Sequence, residues 1–429
     1  MSSAEFGLVQ SIFTLGGLIG ALSAGPPSSK RGRLFVMRLT TIPASLGPFI
    51  TAFAPNVTLM AIGRLLSGVG AGASLVVVPI YISEIAPPES KGFYGSFTQI
   101  MINMGILIAQ MIGYWLSHHS MWRVILAVAG IIGLYQAVRL LFAVESPKWL
   151  AEKGRHQESR QNLLRLRGQA HNIDEEIKSW HTSGTAAESE RQGLLSQTDD
   201  SSSAPKTEDS DDPGFFQVLK NPYYRPAILA VIIVMASQQL TGINSIVMYG
   251  VSLLSSLLSS SSAILNIAVS ALNVVATTAF APLSDNPRLG RKGCLMLSIS
   301  GMSISALLLG IGIRASVKIL AAICVLTFVA SFAIGLGPVP FMLASEMVDA
   351  KGVGATQSWA LGANWIATFL VAQFFPILNE ALGKGNTYFL FTVLGGVFLV
   401  ATWRYVPETR GKNGMGEVWG YEERSRYED

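Results

Sequence analysis

Apolar residues in this chain come in long, nearly unbroken runs, without the strict alternation of half-buried strands or the one-sided stripes of soluble helices. A helix needs about 20 mainly apolar residues to span a bilayer. Five runs approach or exceed that length before a polar interruption: Phe6 to Ala24, Leu34 to Ala54, Val57 to Ser83, Phe93 to Leu116 and Met121 to Val144. Six follow it: Arg225 to Leu254, Ala263 to Ser284, Cys294 to Ile313, Val317 to Leu343, Val353 to Leu378 and Asn386 to Tyr405. In hydrocarbon every backbone group must be satisfied within its own segment, so runs of this kind become helices. The pattern predicts an all-α membrane protein with two helical bundles, of five and six spans. The bundles occupy residues 1–144 and 225–406, joined by a linker over 145–224 and followed by a tail over 407–429.

The linker is different material. Between Glu152 and Trp180, charges alternate with Leu163, Leu164, Leu166 and Ile177, which suits short amphipathic helices at a membrane surface. From about Ser183 to Pro213 the chain is rich in Ser, Asp and Glu and has nothing from which to build a core.

Composition agrees. Half the residues are hydrophobic and 14% are charged, with a mean hydropathy of +0.43; a soluble domain carries roughly a quarter charged residues. The net charge of +4 says less than its placement. With the linker in the cytosol and sides alternating outward from it, 25 of the 31 Lys and Arg residues fall on the linker side and four on the other. That asymmetry follows the positive-inside rule, placing linker and tail in the cytosol. Cys294 and Cys324, the two cysteines, lie in apolar runs and offer neither a disulfide framework nor metal-ligand spacing. The start lacks a basic n-region, so the first apolar run, and no cleaved leader, is expected to target the membrane.

The halves echo one another. Glu145-Ser-Pro-Lys148-Trp149 follows the fifth run, and Pro407-Glu408-Thr-Arg410-Gly-Lys412 follows the last. Lys30-Arg-Gly-Arg33 after the first run echoes Arg288-Leu-Gly-Arg291-Lys292 after the seventh. Such repetition suits transporters built from two similar bundles.

These turns, with Gly63-Arg64, Pro79-Ile-Tyr-Ile-Ser-Glu84, Gly105-Ile-Leu-Ile-Ala-Gln110, Gln238-Gln-Leu-Thr-Gly-Ile-Asn244, Gly337-Pro-Val-Pro340 and Asn364-Trp365, carry a resemblance. The chain resembles the sugar porter family of the major facilitator superfamily, from about Gly7 to Lys412. The resemblance implies the major facilitator fold and monosaccharide transport, of a hexose or a related sugar, by alternating access, facilitative or coupled to protons. It also aligns the first run with the family's second helix, so a cavity-lining helix that bears the coupling aspartate in symporters has no counterpart here. Ser29 stands where the first basic turn has an acidic or amide residue, and Phe341 where a tryptophan is usual.

Polar side chains inside a span need a partner or a ligand. Amides suit a neutral sugar because they donate and accept without charge. Gln99, Gln238, Gln239, Asn244, Asn273, Asn364 and Trp365 sit at central depths. By motif, the resemblance makes Gln99 the fifth-helix glutamine, the next three the seventh-helix amides, and Asn273 the eighth-helix asparagine. It makes Trp365 the ring below the sugar, and Ile102, Ile106, Phe332 and Tyr249 wall or gating positions. Interhelical hydrogen bonding is the plain alternative for each amide; it is the expectation for Asn103 and Gln110. Gly242 would relax its helix at a gate. Gly16-x-x-x-Gly20 and Gly68-x-x-x-Gly72 read as close helix packing. Arg64 is a strongly basic group deep in the first bundle, with no partner that the sequence supplies.

Charges at the linker-side helix ends read as gating pairs between the bundles. They are Glu84 with Lys91, Asp285 with Arg291 and Lys292, Glu346 with Lys351, and Glu145 and Glu408 with Arg33 and Arg410. No phosphate loop, nucleophile elbow or His/Cys set points to an enzyme, a metal or a cofactor, and no nucleic-acid partner is expected. His118 and His119 read as loop residues, and the sequon Asn56-Val-Thr58 lies too close to the membrane to be used. Glu190-Arg-Gln-Gly-Leu194-Leu195 has the form of an acidic dileucine signal that would engage a sorting adaptor. A vacuolar or endosomal membrane thus competes with the plasma membrane as the destination. The rival to transport is a transport-deficient truncated isoform or a membrane sugar sensor, although the seventeen residues after Lys412 make a short tail for sensing.

Overall fold

The computed structural model describes residues 3–116, 121–168, 173–174, 176–177, 215–246, 262–383, 385–412 and 415–420, and over these each apolar run is mostly helix. No strand occurs among them. The first half comprises α1 (Ser3–Arg31), α2 (Arg33–Phe53), α3 (Val57–Ile85), α4 (Phe97–Leu116) and α5 (Trp122–Leu141). The linker begins with α6 (Pro147–Glu152) and α7 (His156–Arg167). The second half comprises α8 (Arg225–Leu240), α9 (Ser262–Phe280), α10 (Gly290–Arg314), α11 (Lys318–Ile334), α12 (Val339–Met347), α13 (Ala350–Leu382) and α14 (Asn386–Tyr405).

Nine helical stretches among the described residues are long and apolar enough to cross a membrane. The eleven runs expected from the sequence exceed this by α1 and α13. Both are long, at 29 and 33 residues, and they meet each other at Gly17, Gly25, Gly354 and Ser358.

Three runs break inside. The run from Phe93 is divided at Ser96, whose N–H turns to the carbonyls of Gly92 and Phe93, giving a short helix Lys91–Gly95 before α4. The run from Arg225 breaks at Gly242 and resumes at Ile243; Gly242 is held at φ 100°, where a side chain would be strained and a Cβ would strike the Phe391 ring. The run from Val317 divides between α11 and α12 over Gly335, Leu336, Gly337 and Pro338. Pro338 supplies no N–H there, and Gly335 lies against the Cys294 backbone.

Within the first half α3 packs on α1 and α2, and α2 on α5; within the second, α10 packs on α11 and α14, and α8 on α13. The two small-residue motifs face each other as expected. Gly16 and Gly20 lie against the Leu65 and Val69 carbonyls, and Gly68 and Gly72 against those of Phe13 and Gly17. The most extensive contacts between the halves are α1 against α13 and α4 against α9, with smaller ones of α3 against α12 and α13 and of Lys91–Gly95 against Ala281–Asp285. The linker's first helices fold under the first half. Trp149 Nε1 donates to the Ser29 carbonyl at 2.8 Å, while Arg167 donates to the carbonyls of Ile85 and Ala86 and pairs with Glu176.

Candidate substrate site

The break after α8 and the break before α12 bring the amides of the second half together. Gln238 is 2% exposed, and its Nε2 donates to the carbonyl of Leu336 at 2.6 Å and to that of Gly337 at 3.2 Å. These carbonyls are free because the helix is interrupted there. Asn364 Nδ2 donates to Gln238 Oε1 at 2.6 Å. Gln239 Nε2 donates to Gln238 Oε1 and to Asn364 Oδ1, and Asn244 Nδ2 donates to Gln239 Oε1 at 2.7 Å. Four of the expected residues therefore form one network.

Gln99 and Asn273 form a second network on α4 and α9. Gln99 Nε2 donates to Asn103 Oδ1 at 2.8 Å, Asn273 Nδ2 donates to the same oxygen at 3.3 Å, and Asn103 Nδ2 donates to Thr277 Oγ1 at 3.0 Å. Gly337 joins the networks: a Cβ there would lie 3.3 Å from Gln99 Cγ and 3.1 Å from the Phe332 ring, while its carbonyl accepts from Gln238. Side chains from both halves thus meet at one backbone junction.

The walls are less uniform. Phe332 is buried beneath Gly337, and Ile102 packs on the core. Ile106, 39% exposed, lines a cavity of about 20 Å³ with Asn103, Asn266, Ser270 and Asn273. Trp365 does not touch the amides through its nitrogen; its ring lies against Gly17 and edge-on to Phe13, with centroids 6.0 Å apart. Its Nε1 is buried without a hydrogen bond among the described residues. Gln110 Oε1 is likewise buried without one. Tyr249, His118, His119 and the dileucine segment lie outside the described residues. Arg64 stands over the Phe13 ring at 5.8 Å, lining a cavity of about 350 Å³ with Ser67 and Gln136.

The expected gating pairs require correction. They join helices within each half, and the same arrangement is built twice. In the first, Arg33 pairs with Glu84 at 2.7 Å, while Glu145 accepts the backbone N–H groups of Arg33 and Leu34. In the second, Arg291 pairs with Glu346 at 2.9 Å, while Glu408 accepts those of Arg291 and Lys292. Glu84 is therefore held by Arg33, and Lys91 makes no ion pair among the described residues. The reason is local: each basic turn places its Arg at a helix start, facing the carboxylate at the end of a neighbouring helix. Glu346 is taken by Arg291 and by the Thr409 hydroxyl. Arg410 turns its Nε to the Asp285 carbonyl at 2.7 Å, and Lys292 its Nζ to that of Trp403. Asp285 does pair with Arg291, but within the second half and not between the bundles. It also reaches across the halves, accepting the N–H groups of Gly92 at 3.1 Å and Phe93 at 2.8 Å. That crossing, like the roles of Asn103 and Gly337, is not visible in motif spacing, because it depends on where the helices break.

Residues 1–416 match the family described as "Sugar (and other) transporter". The chain belongs to the sugar transporter family. It is 32% identical to a Saccharomyces cerevisiae protein named a "probable metabolite transport protein", over 98% of this chain and 83% of that one. It is 30% identical to the glucose transporter GlcP of Staphylococcus epidermidis, over 96% of this chain and 88% of that one. The solved structure of the proton:xylose symporter XylE bound to 6-bromo-6-deoxy-D-glucose shares the fold, with a TM-score of 0.79 at 22% identity, over 98% and 90% of the two chains. Like these, the sugar transporter family member described here is a multi-pass integral membrane protein and not an enzyme.

Proposed function

We propose that the chain carries a neutral hexose across the membrane by alternating access. The observation that supports this most is the meeting of uncharged amides from both halves, Gln99 from one and Gln238, Gln239 and Asn364 from the other, around Gly337. A sugar hydroxyl both donates and accepts, so it can replace amide–amide bonds one for one without burying charge. The bonds between Gln239, Asn244 and Asn364 are the ones such a ligand would exchange. Because the site uses residues of both halves, residues 3–144 and 225–406 moving as two bodies would expose it to each side in turn. The name of the Staphylococcus relative, a glucose transporter, supports a hexose as the cargo.

The test is uptake of labelled glucose by the purified 429-residue chain in liposomes, with competitors and with or without a pH gradient. Saturable uptake inhibited by neutral monosaccharides and not by glucuronate is expected. Stimulation by the gradient distinguishes proton coupling from facilitated diffusion. Competition by charged metabolites and by no sugar would overturn the reading. Imaging of the tagged chain with Leu194 and Leu195 intact or replaced by Ala separates the endosomal or vacuolar destination, which those residues favour, from the plasma membrane.

A further inference from the structure

Asn103 lies one turn from Gln99 on α4 and is 2% exposed. Its oxygen accepts the nitrogen ends of two side chains, Gln99 Nε2 at 2.8 Å and Asn273 Nδ2 at 3.3 Å. Its own nitrogen donates to Thr277 Oγ1 at 3.0 Å, and the Thr277 hydroxyl donates to Asn273 Oδ1 at 3.3 Å. The directions are mutually consistent, since each accepting oxygen meets an N–H or O–H.

An amide donates at one end and accepts at the other, and its terminal torsion is broad and roughly two-fold. A partner that holds one end therefore decides which end faces the ligand. Asn103 holds Gln99 by its nitrogen. The Gln99 oxygen takes no hydrogen bond from the described residues, and the side-chain stem lies against Gly337, where the two halves meet. Gln99 thus offers the site an acceptor. An acceptor favours a sugar group that donates, a hydroxyl, over a fluorine of similar size that cannot.

We propose that Asn103 is a positioning residue for sugar selectivity: it fixes the polarity of Gln99 and Asn273, so that the site discriminates hydroxyl donors at one position of the sugar ring. This rests on the sugar-transport reading of the same site.

The test is inhibition of labelled glucose uptake by monodeoxy and deoxyfluoro glucoses, for the wild type and for Asn103→Leu, Asn103→Ser and Asn103→Asp in liposomes. In the wild type, fluorine at the recognised position behaves like the missing hydroxyl. In Asn103→Leu the released amide can turn its N–H toward fluorine, and the fluoro analogue gains about fivefold over the deoxy analogue. Asn103→Ser, too short to hold Gln99, gives the same change, so the result does not depend on the folding of one variant. Asn103→Asp keeps an oxygen for both N–H groups and retains the wild-type pattern. An unchanged analogue pattern in Leu and Ser variants that lose only maximal rate would overturn the proposal, as would a changed pattern in Asp. Absence of competition by any monosaccharide in the wild type would instead refute the transport reading and this inference with it.

Discussion

Gln238 and Gln239 are adjacent in the chain yet differ in what they hold. Gln238 closes the gap at Leu336 and Gly337, so Gln238→Leu would leave buried carbonyls unmet and damage the fold as well as the site. Gln239 bonds only to other amides, which can re-pair when it is gone. Gln239→Ala is therefore the cleaner probe: it should cost about 1–3 kcal/mol of sugar affinity, read as a rise in KM with folded yield unchanged. At this scale the amides were legible, because polar groups stand out in apolar runs. The role of Asn103 was not, since helix glue and site support look alike until partners are known.

The elements show a sharper division between what hydropathy reveals and what it hides. A window over apolar residues finds each span but is blind to the breaks at Ser96, Gly242 and Gly335 to Pro338, because the residues on both sides of each break stay apolar. The small residues of α1 and α13 serve a helix crossing. Gly25 and Gly354 bring their backbones together there: a Cβ on Gly354 would lie 2.5 Å from the Gly25 carbonyl oxygen. Backbone cannot yield as a flexible side chain does, so overpacking here costs roughly 1–3 kcal/mol or more. Because the contact joins the halves, Gly354→Val should block closure of the linker end, not folding. The expected result is loss of transport with normal folded yield and greater alkylation of a cysteine introduced at Ser358. Gly68→Val, inside the first half against the Phe13 carbonyl, should instead lower folded yield.

At the scale of the molecule, the repeat was legible in sequence, and its consequence was not. Matching basic turns indicated two related halves, but the partners of their charges depend on which helix ends adjoin. Each Arg meets a carboxylate of its own half, buried to the point that the Arg33 and Glu84 side chains are 0% and 5% exposed. Removing one partner of such a pair costs about 3–5 kcal/mol, so Arg33→Leu should destabilise the whole first half and depress yield. Pairs of this kind make each half a rigid body and leave the relative position of the halves to weaker contacts. Asp285 is one of these, because its carboxylate takes the Gly92 and Phe93 N–H groups of the opposite half. Hydrogen bonds to a charged group contribute about 1.5–3 kcal/mol, enough to move an equilibrium between two positions of the halves by roughly ten- to a hundredfold. Asp285→Ala should therefore shift the population toward an open linker end, and Asp285→Asn, which keeps one acceptor, should shift it less. Spin-label distances between the Lys91–Gly95 helix and the start of α10 would show this as a growing long-distance component. Unchanged distances in Asp285→Ala, with folding intact, would mean that the other contacts between the halves, the α1–α13 crossing foremost, hold that end closed without it.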